Sequence, residues 1–160
     1  MARLKIRGVD PCLLMVDTTK AGSASDTFVL PLPGVGVYDY MIDWGDGTIE
    51  HKTGNTDETH VYGVAGTYTI TIRGTFPQIY FNNAGDKLKL TGVQLGCVGW
   101  KSLNSAFYGC NNLVRFFPAA DTSQVTDMGS MFRSCWFLAP DVGWFDTSKV
   151  TDMKIGRAHV

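Results

Sequence analysis

The sequence lacks long apolar runs and an excess of charge of either sign. Its early apolar run, CLLMV, is shorter than a signal-peptide core, and no stretch approaches the roughly 18–20 apolar residues of a membrane span. Fourteen Lys and Arg balance fifteen Asp and Glu. We therefore expect no membrane span in this fragment and no bulk electrostatic attraction to nucleic acid or to an acidic membrane.

Cysteines are also few, and the common catalytic motifs are absent. The chain has four cysteines without a CxxC pair, too few for a small disulfide-framework domain. None of GxSxG, HExxH or GxxxxGK[ST] occurs. With 44% hydrophobic and 18% charged residues, the chain has the composition of a globular protein. We expect no catalytic residue, no metal and no cofactor.

The first half contains short segments in which apolar and polar residues alternate. Turn signals rich in Gly, Pro and Asp, such as PLPGVG, WGDGT and GVAGT, separate these segments. Alternation places one side of each strand in a core, so the pattern predicts a mainly β fold with a sandwich of antiparallel sheets. The inward-facing positions are Phe28, Leu30, Leu32, Tyr40, Ile42, Trp44, Tyr68, Ile70 and Ile72.

Two segments of this half resemble a known family. IDWGDGTIE at 42–50 and HVYGVAGTYTITI at 60–72 resemble the PKD domain, whose signature is a W/F-GDG turn, then H-x-Y, then G-x-Y-x-[VI]-x-[VI]. The resemblance implies an immunoglobulin-like β-sandwich over residues 1–84, with an N-terminal lead strand. Its motif positions, to which we assign structural roles, are Asp43, Trp44, Gly45, Asp46, Gly47, His60, Tyr62, Gly66 and Tyr68.

Three polar residues of this motif admit a functional alternative. Asp43 and Asp46 flank the turn and could bind calcium, because hard cations prefer clustered carboxylate oxygens. A D-x-D-x-DG loop is absent, however, and Asp in such turns usually accepts a hydrogen bond from its own backbone. His60 could act as a general base, but no Ser or Cys lies near it in a recognisable motif. We expect structural roles for all three residues.

The second half repeats itself with a period of about 25 residues. DTSQVTDM begins at Asp121 and DTSKVTDM at Asp146, and AFYGCNNL at 106–113 matches MFRSCWFL at 131–138. Such a period predicts a short leucine-rich-repeat-like solenoid over residues 85–153, with a strand and a short helical turn, as at 130–135, in each coil. The structural repeat positions are Leu103, Phe107, Cys110, Leu113, Val125, Met128, Phe132, Cys135, Leu138, Val150 and Met153.

These units resemble the repeats of BspA-like bacterial surface proteins, which run approximately W-D-T-S-x-V-T-D-M-x-x-M-F-x-x-[CA]. Phe145 stands where that family usually has Trp, a mild departure. A PKD-like module followed by such repeats is a combination associated with these surface proteins and with related phage-encoded ones. The last segment, KIGRAHV at 154–160, breaks the period and resembles a translated sequencing adapter, so we expect residues 154–160 to be a non-native tail that follows a repeat truncated at Met153.

Two features of the repeat admit two explanations each. Cys110 and Cys135 occupy equivalent positions, which would lie about 5 Å apart in neighbouring strands and could form a disulfide. A ladder of buried free thiols explains the same spacing, and we expect the ladder. Trp100, Trp136 and Trp144 could contact a partner, because aromatic residues anchor interfaces, or could pack between coils, which we expect.

Together the two resemblances imply a non-catalytic fragment of a bacterial surface or adhesion-type repeat protein. The sandwich would act as a spacer, and the repeat would present a recognition surface to a macromolecular partner, protein or glycan, at the cell surface or outside the cell. One alternative is a structural protein of a phage virion or tail, located in the virion. Another is an accessory region of a secreted hydrolase, because PKD modules often accompany catalytic domains.

Overall fold

A computed structural model describes residues 10–156 as a mainly β protein. Residues 1–9 of the predicted lead and residues 157–160 of the predicted tail lie outside the described residues. The strands, in chain order, are β1 (Cys12–Asp17), β2 (Thr27–Leu30), β3 (Asp39–Asp43), β4 (Ile49–Lys52), β5 (Glu58–Val61), β6 (Thr67–Thr75), β7 (Leu90–Leu95) and β8 (Arg115–Pro118).

The strands form two sheets. Six of them make one sheet in the order β4-β3-β6-β1-β7-β8, and β2 pairs with β5 in a second sheet. All neighbours are antiparallel except β7 and β8, which are parallel. Leu14 of β1 lies opposite Ile70 of β6 on one side and Val93 of β7 on the other. The large sheet therefore continues across residue 84, while the division into two domains stays a prediction.

The alternation in the first half produces the core that the sequence predicts. The inward-facing positions are buried, apart from Tyr68, which is partly buried and packs against the core. Thr67 and Thr69, on the opposite face of β6, are exposed. Buried apolar side chains from both sheets and from the repeat belong to one continuous cluster. At roughly 1.5–3 kcal/mol for each fully buried large apolar side chain, this shared burial is the main stabilising contribution.

The predicted helical turn in each repeat is wrong. Residues 129–134 form successive hydrogen-bonded turns, in which the N–H groups of Met131 and Arg133 donate to the carbonyls three residues earlier. Ser130 and Ser134 have φ values of 55° and 60°. A helix requires consecutive residues in the right-handed region, so these left-handed serines prevent one. No residue between 10 and 156 is helical, and none of this part of the chain forms a helix able to cross a membrane.

The amides that do not close these turns bond to the next stretch of chain. Four alternate N–H groups donate to carbonyls almost one repeat length further along at 2.8–2.9 Å, and a second set does the same at 2.7–3.0 Å. Because these are backbone contacts, they do not depend on the repeat's side chains. The pairs are Leu103 with Asp127, Ser105 with Gly129, Phe107 with Met131, Gly109 with Arg133, then Met128 with Asp152, Ser130 with Lys154 and Phe132 with Ile155.

A buried polar cluster joins the loop before β2 to the chain before β7. The Nζ of Lys89, which is fully buried, lies 2.7–3.1 Å from the carbonyl oxygens of Ser23, Ala24 and Thr27. The Asp86 carboxylate, 2% exposed, accepts hydrogen bonds from the backbone N–H groups of Ser23 at 2.7 Å and of Val29 at 2.7 Å. Both buried charges thus have the multiple partners that such burial requires.

Candidate functional site

The WGDGT segment is a turn between β3 and β4 whose carboxylates bond to its own backbone. Asp43 accepts the N–H of Gly45, and Asp46 accepts that of Thr48, both at 2.9 Å. Gly45 has a φ of 88°, and a Cβ there would lie 2.5 Å from the Thr69 carbonyl oxygen, so the position requires glycine. In residues 10–156, no group of three or more His, Cys, Asp or Glu is arranged to hold a metal ion.

His60 belongs to a hydrogen-bonded aromatic cluster beside this turn. Its Nε2 lies 2.8 Å from the Asp46 carboxylate, and its ring stacks on Trp44 with centroids 4.7 Å apart. Desolvation acts to raise the pKa of Asp46, but hydrogen bonds from His60 and Thr48 outweigh it and lower that pKa. The Trp44 indole donates to Glu50 at 2.7 Å and lowers the pKa of that carboxyl. The contacts of His60 are therefore to aromatic and acidic groups.

Two tyrosines complete the same cluster. Tyr62 donates its hydroxyl to the Trp44 carbonyl at 2.9 Å and stacks on Tyr68 with centroids 3.7 Å apart. The N–H of Gly66 donates to the Thr18 hydroxyl at 2.9 Å, which ties the loop before β6 to the end of β1. The structure therefore brings the motif residues together, and it does so through contacts that hold the fold.

Two equivalent repeat positions stack on each other in the core, and most of the other repeat positions are buried. Phe107 lies 5.9 Å from Phe132 between ring centroids, with the rings 13° from parallel. Val150 is partly buried, whereas Met153 is about half exposed. The fully or almost fully buried repeat positions are Leu103, Phe107, Cys110, Leu113, Val125, Met128, Phe132, Cys135 and Leu138.

All four cysteines are buried free thiols. Burial raises the pKa of Cys110 well above its usual value and that of Cys135 to about 12. The Cys135 thiol donates to the Phe107 carbonyl at 3.1 Å. The two repeat thiols are therefore protonated near neutral pH and act as small apolar side chains with a weak donor.

The three tryptophans of the second half differ in exposure. Trp100 is buried and donates its indole N–H to the Gly96 carbonyl at 2.6 Å, so it packs within the core. Trp136 is 47% exposed and Trp144 57% exposed. Trp100 also contacts Phe76, which precedes the repeat, with ring centroids 5.7 Å apart, whereas Trp144 presents its ring at the surface.

An open groove of about 560 Å³, here called the aromatic groove, lies where Trp144 meets the end of β8. Alternation along β8 buries Phe116 and exposes Phe117. Phe116 packs 4.9 Å from Phe132 and 6.1 Å from Phe145, measured between ring centroids, so core contacts hold this lining residue in place. The lining residues are Asp10, Phe116, Phe117, Pro118, Ala119, Ala139, Asp141 and Trp144.

The loop that carries Trp144 is held by a local hydrogen bond and by the core. Asp141 Oδ1 accepts the N–H of Gly143 at 3.0 Å, and the N–H of Phe145 donates to the Val142 carbonyl at 3.1 Å. Phe145 points into the core, so the preceding Trp144 points out. The groove is thus built on supported backbone, as a preformed binding site requires.

The chemistry of the aromatic groove suits binding. Within residues 10–156, its lining combines aromatic and small apolar side chains with two carboxylates, and it contains no Ser, Cys, His or Lys that could act as a nucleophile or base. Of these residues, the sequence predicts an interface role as an alternative for Trp144 and gives no role to Asp10, Phe117 or Asp141. The pair Phe116–Phe117 gave a usable signal, because adjacent residues of a strand face opposite sides and only one of them can be buried.

Residues 101–155, about a third of the chain, match the family described as Mycoplasma protein of unknown function, DUF285. No curated protein and no solved structure matches the chain significantly. The matched residues include both turn-rich stretches of the repeat and the groove residues Phe116, Phe117 and Trp144.

Proposed function

We propose that this chain is a non-catalytic part of a bacterial surface repeat protein, with a spacer module followed by a recognition module. The spacer is the PKD-like, immunoglobulin-like sandwich of the first half. The recognition module is a BspA-like solenoid that begins after residue 84 and supplies all of the aromatic groove's lining except Asp10, and the groove faces a macromolecular partner. The location that follows is the cell surface or the extracellular space.

The stacking of equivalent repeat positions carries this proposal. Phe107 lies on Phe132, and alternate backbone amides bond to carbonyls almost one repeat length further along. In a solenoid, each coil covers the core of its neighbour through such in-register contacts. The match of residues 101–155 to a repeat-containing family supports the same view.

The spacer role of the first half is supported by its motif residues, which make structural contacts. Trp44, His60, Tyr62 and Tyr68 contact one another and the backbone, and these contacts hold the turn and the strands. Two sheets with a common core fit a sandwich. Because its motif residues stabilise the fold, we assign this module the role of a spacer between other parts of the protein.

The recognition role rests on the exposed aromatic residues of the second half. Phe117 and Trp144 are each more than half exposed, although burying each would be favourable by several kcal/mol. Large aromatic side chains that remain exposed on a supported loop and a strand end are typical of interface anchors.

The location can be tested on intact cells of the source organism. Antibodies raised against the purified protein would be used to label living cells, and peptides released by brief trypsin treatment of those cells would be identified by mass spectrometry. We expect surface labelling and release of peptides such as the one that ends at Arg133. A cytoplasmic protein of the same cells serves as the control for lysis.

Other locations would overturn the proposal. Signal confined to purified phage particles would favour a virion or tail protein. Signal confined to the culture fluid, on a polypeptide that also carries a hydrolase domain, would favour an accessory region of a secreted enzyme.

A further inference from the structure

The aromatic groove also indicates which chemistry its partner presents, an inference that rests on the recognition role proposed above. We propose that the groove binds a cationic peptide segment, placing a Lys or Arg side chain against Trp144 and Phe117 with its charged group at Asp10 and Asp141. The ligand class is thus a positively charged protein segment.

The aromatic rings of the groove suit a cationic side chain. A ring face attracts a cation within about 6 Å of its centroid, and Trp does so most strongly. Trp144 and Phe117 line the groove and are each more than half exposed, whereas Phe116, which also lines it, is buried. Lys and Arg have long apolar stems that pack on such surfaces while the charged end stays near polar groups.

The two carboxylates of the groove also favour a cationic ligand. Among the described residues, Asp10 and Asp141 are the only charged side chains that line the groove, and an ionised carboxylate only accepts hydrogen bonds. Apart from the Trp144 indole, the side chains of this described lining offer no donor. A ligand must therefore bring its own donors, and an ammonium or guanidinium brings them together with a complementary charge.

Asp141 is positioned for this contact. Its Oδ1 is held by the N–H of Gly143 at 3.0 Å, which fixes the carboxylate relative to the loop. Neutral glycans bind aromatic faces as well, but their hydroxyl groups usually exchange hydrogen bonds with both donors and acceptors of the protein. The lining favours a donor-rich ligand, so the peptide is the choice that charge complementarity supports.

The test is a titration of the full chain followed by the NMR signals of its indole N–H groups. The probes are a blocked pentapeptide GKFKG, the same peptide with norleucine in place of both lysines, and a trimer of N-acetylglucosamine. The variant Trp144→Ala identifies the Trp144 signal and should remove binding. We expect GKFKG to shift that signal and to bind at least about tenfold more tightly than the norleucine peptide.

Three further variants separate charge from shape. Asp141→Asn keeps an oxygen for the Gly143 N–H but loses the charge, and should weaken GKFKG binding by about two- to fivefold. Arg115→Gln removes a positive charge near Phe117 and should not weaken it. Phe137→Ala changes an aromatic residue that is 74% exposed and does not line the groove, and should leave it unchanged.

Each remaining outcome overturns the inference. Equal binding of the lysine and norleucine peptides would mean that the groove recognises apolar surface alone. A shift of the Trp144 signal by the sugar trimer but not by GKFKG would identify a glycan site and leave the recognition role intact. No shift with any probe at about 2 mM would remove the groove as a binding site, whatever the location of the protein proves to be.

Discussion

The two halves of this chain close the core in different ways. In the first half, Trp44, His60 and Tyr62 form a single local cluster that does not recur elsewhere in the described part of that half. In the second half, the same contact recurs, with Phe107 on Phe132 and backbone bonds at a nearly constant offset. A substitution in the first half should therefore act locally, whereas one in the second half should be felt at the equivalent position of the neighbouring stretch.

The halves are nevertheless joined by more than the chain. β7 pairs with β1, and Lys89 holds the loop before β2 from within the region that precedes β7. The contrast is therefore one of packing style within a shared core. Substitutions that remove one contact of each kind measure how much each contributes to the free energy of unfolding.

The largest effect is expected from Phe132→Ala. Phe132 is fully buried and contacts both Phe107 and Phe116, so the substitution leaves a cavity in the stack. We expect a loss of about 3–5 kcal/mol in the free energy of unfolding, measured by urea denaturation. Phe137→Ala, at an exposed position, should cost less than about 0.5 kcal/mol. Equal losses for the two variants would contradict the stacked arrangement.

The next largest loss of stability is expected when the contact between the halves is removed. Lys89→Met keeps most of the side-chain volume but leaves the carbonyls of Ser23, Ala24 and Thr27 without their buried donor. We expect a loss of about 2–3 kcal/mol and a single unfolding transition, because both halves share this cluster. Two separate transitions with the first half unaffected would show that the halves are independent. Lys87→Met, at a lysine that donates to nearby Asn83 instead, provides a matched control.

A smaller effect distinguishes the thiol ladder from a disulfide. Cys110→Ala removes a buried sulfur and should lower the free energy of unfolding by about 1 kcal/mol, equally with and without a reductant. A disulfide to Cys135 would close a loop of about 25 residues and would make the loss about 3 kcal/mol, and only without reductant. Cys135→Ala should behave in the same way as Cys110→Ala with respect to the reductant.

Local signals in the sequence predicted β2, β3 and β6 and the stacking of Phe107 on Phe132, and they failed where the answer depends on distant segments. Alternation around Ile70 and the period of the DTS segments are visible by comparing short windows. The burial of Lys89 is not, because its acceptors lie far away in the sequence, in the segment that leads into β2. Likewise, nothing local indicates that β8 lies parallel to β7 at the edge of the sheet.

The repeat shows how a correct period can accompany a wrong local structure. Phe132 and Cys135 are three residues apart, a spacing shared by a helical turn and by linked β-turns. The structure has the β-turns, because Ser130 and Ser134 are left-handed and leave alternate amides free to bond between stretches. The groove was missed for a similar reason, since it requires the end of β8 and the Asp141 loop to meet.

The smallest expected effect lies in the single cluster of the first half and depends on pH. The pKa of Asp46 is lower in the folded protein, so the charge of Asp46 stabilises the fold at pH values above the unfolded pKa of about 4. This contribution disappears as the pH falls through the folded pKa.

Asp46→Asn keeps an acceptor for the Thr48 N–H but removes the charge next to His60. We expect a loss below about 1 kcal/mol at pH 7 that shrinks as the pH falls through the folded pKa of Asp46, measured by thermal unfolding. In a cycle with His60→Gln, the double variant should lose less than the sum of the two single losses, because both remove one contact. Additive losses, or a gap independent of pH, would mean that the first half does not depend on this pair.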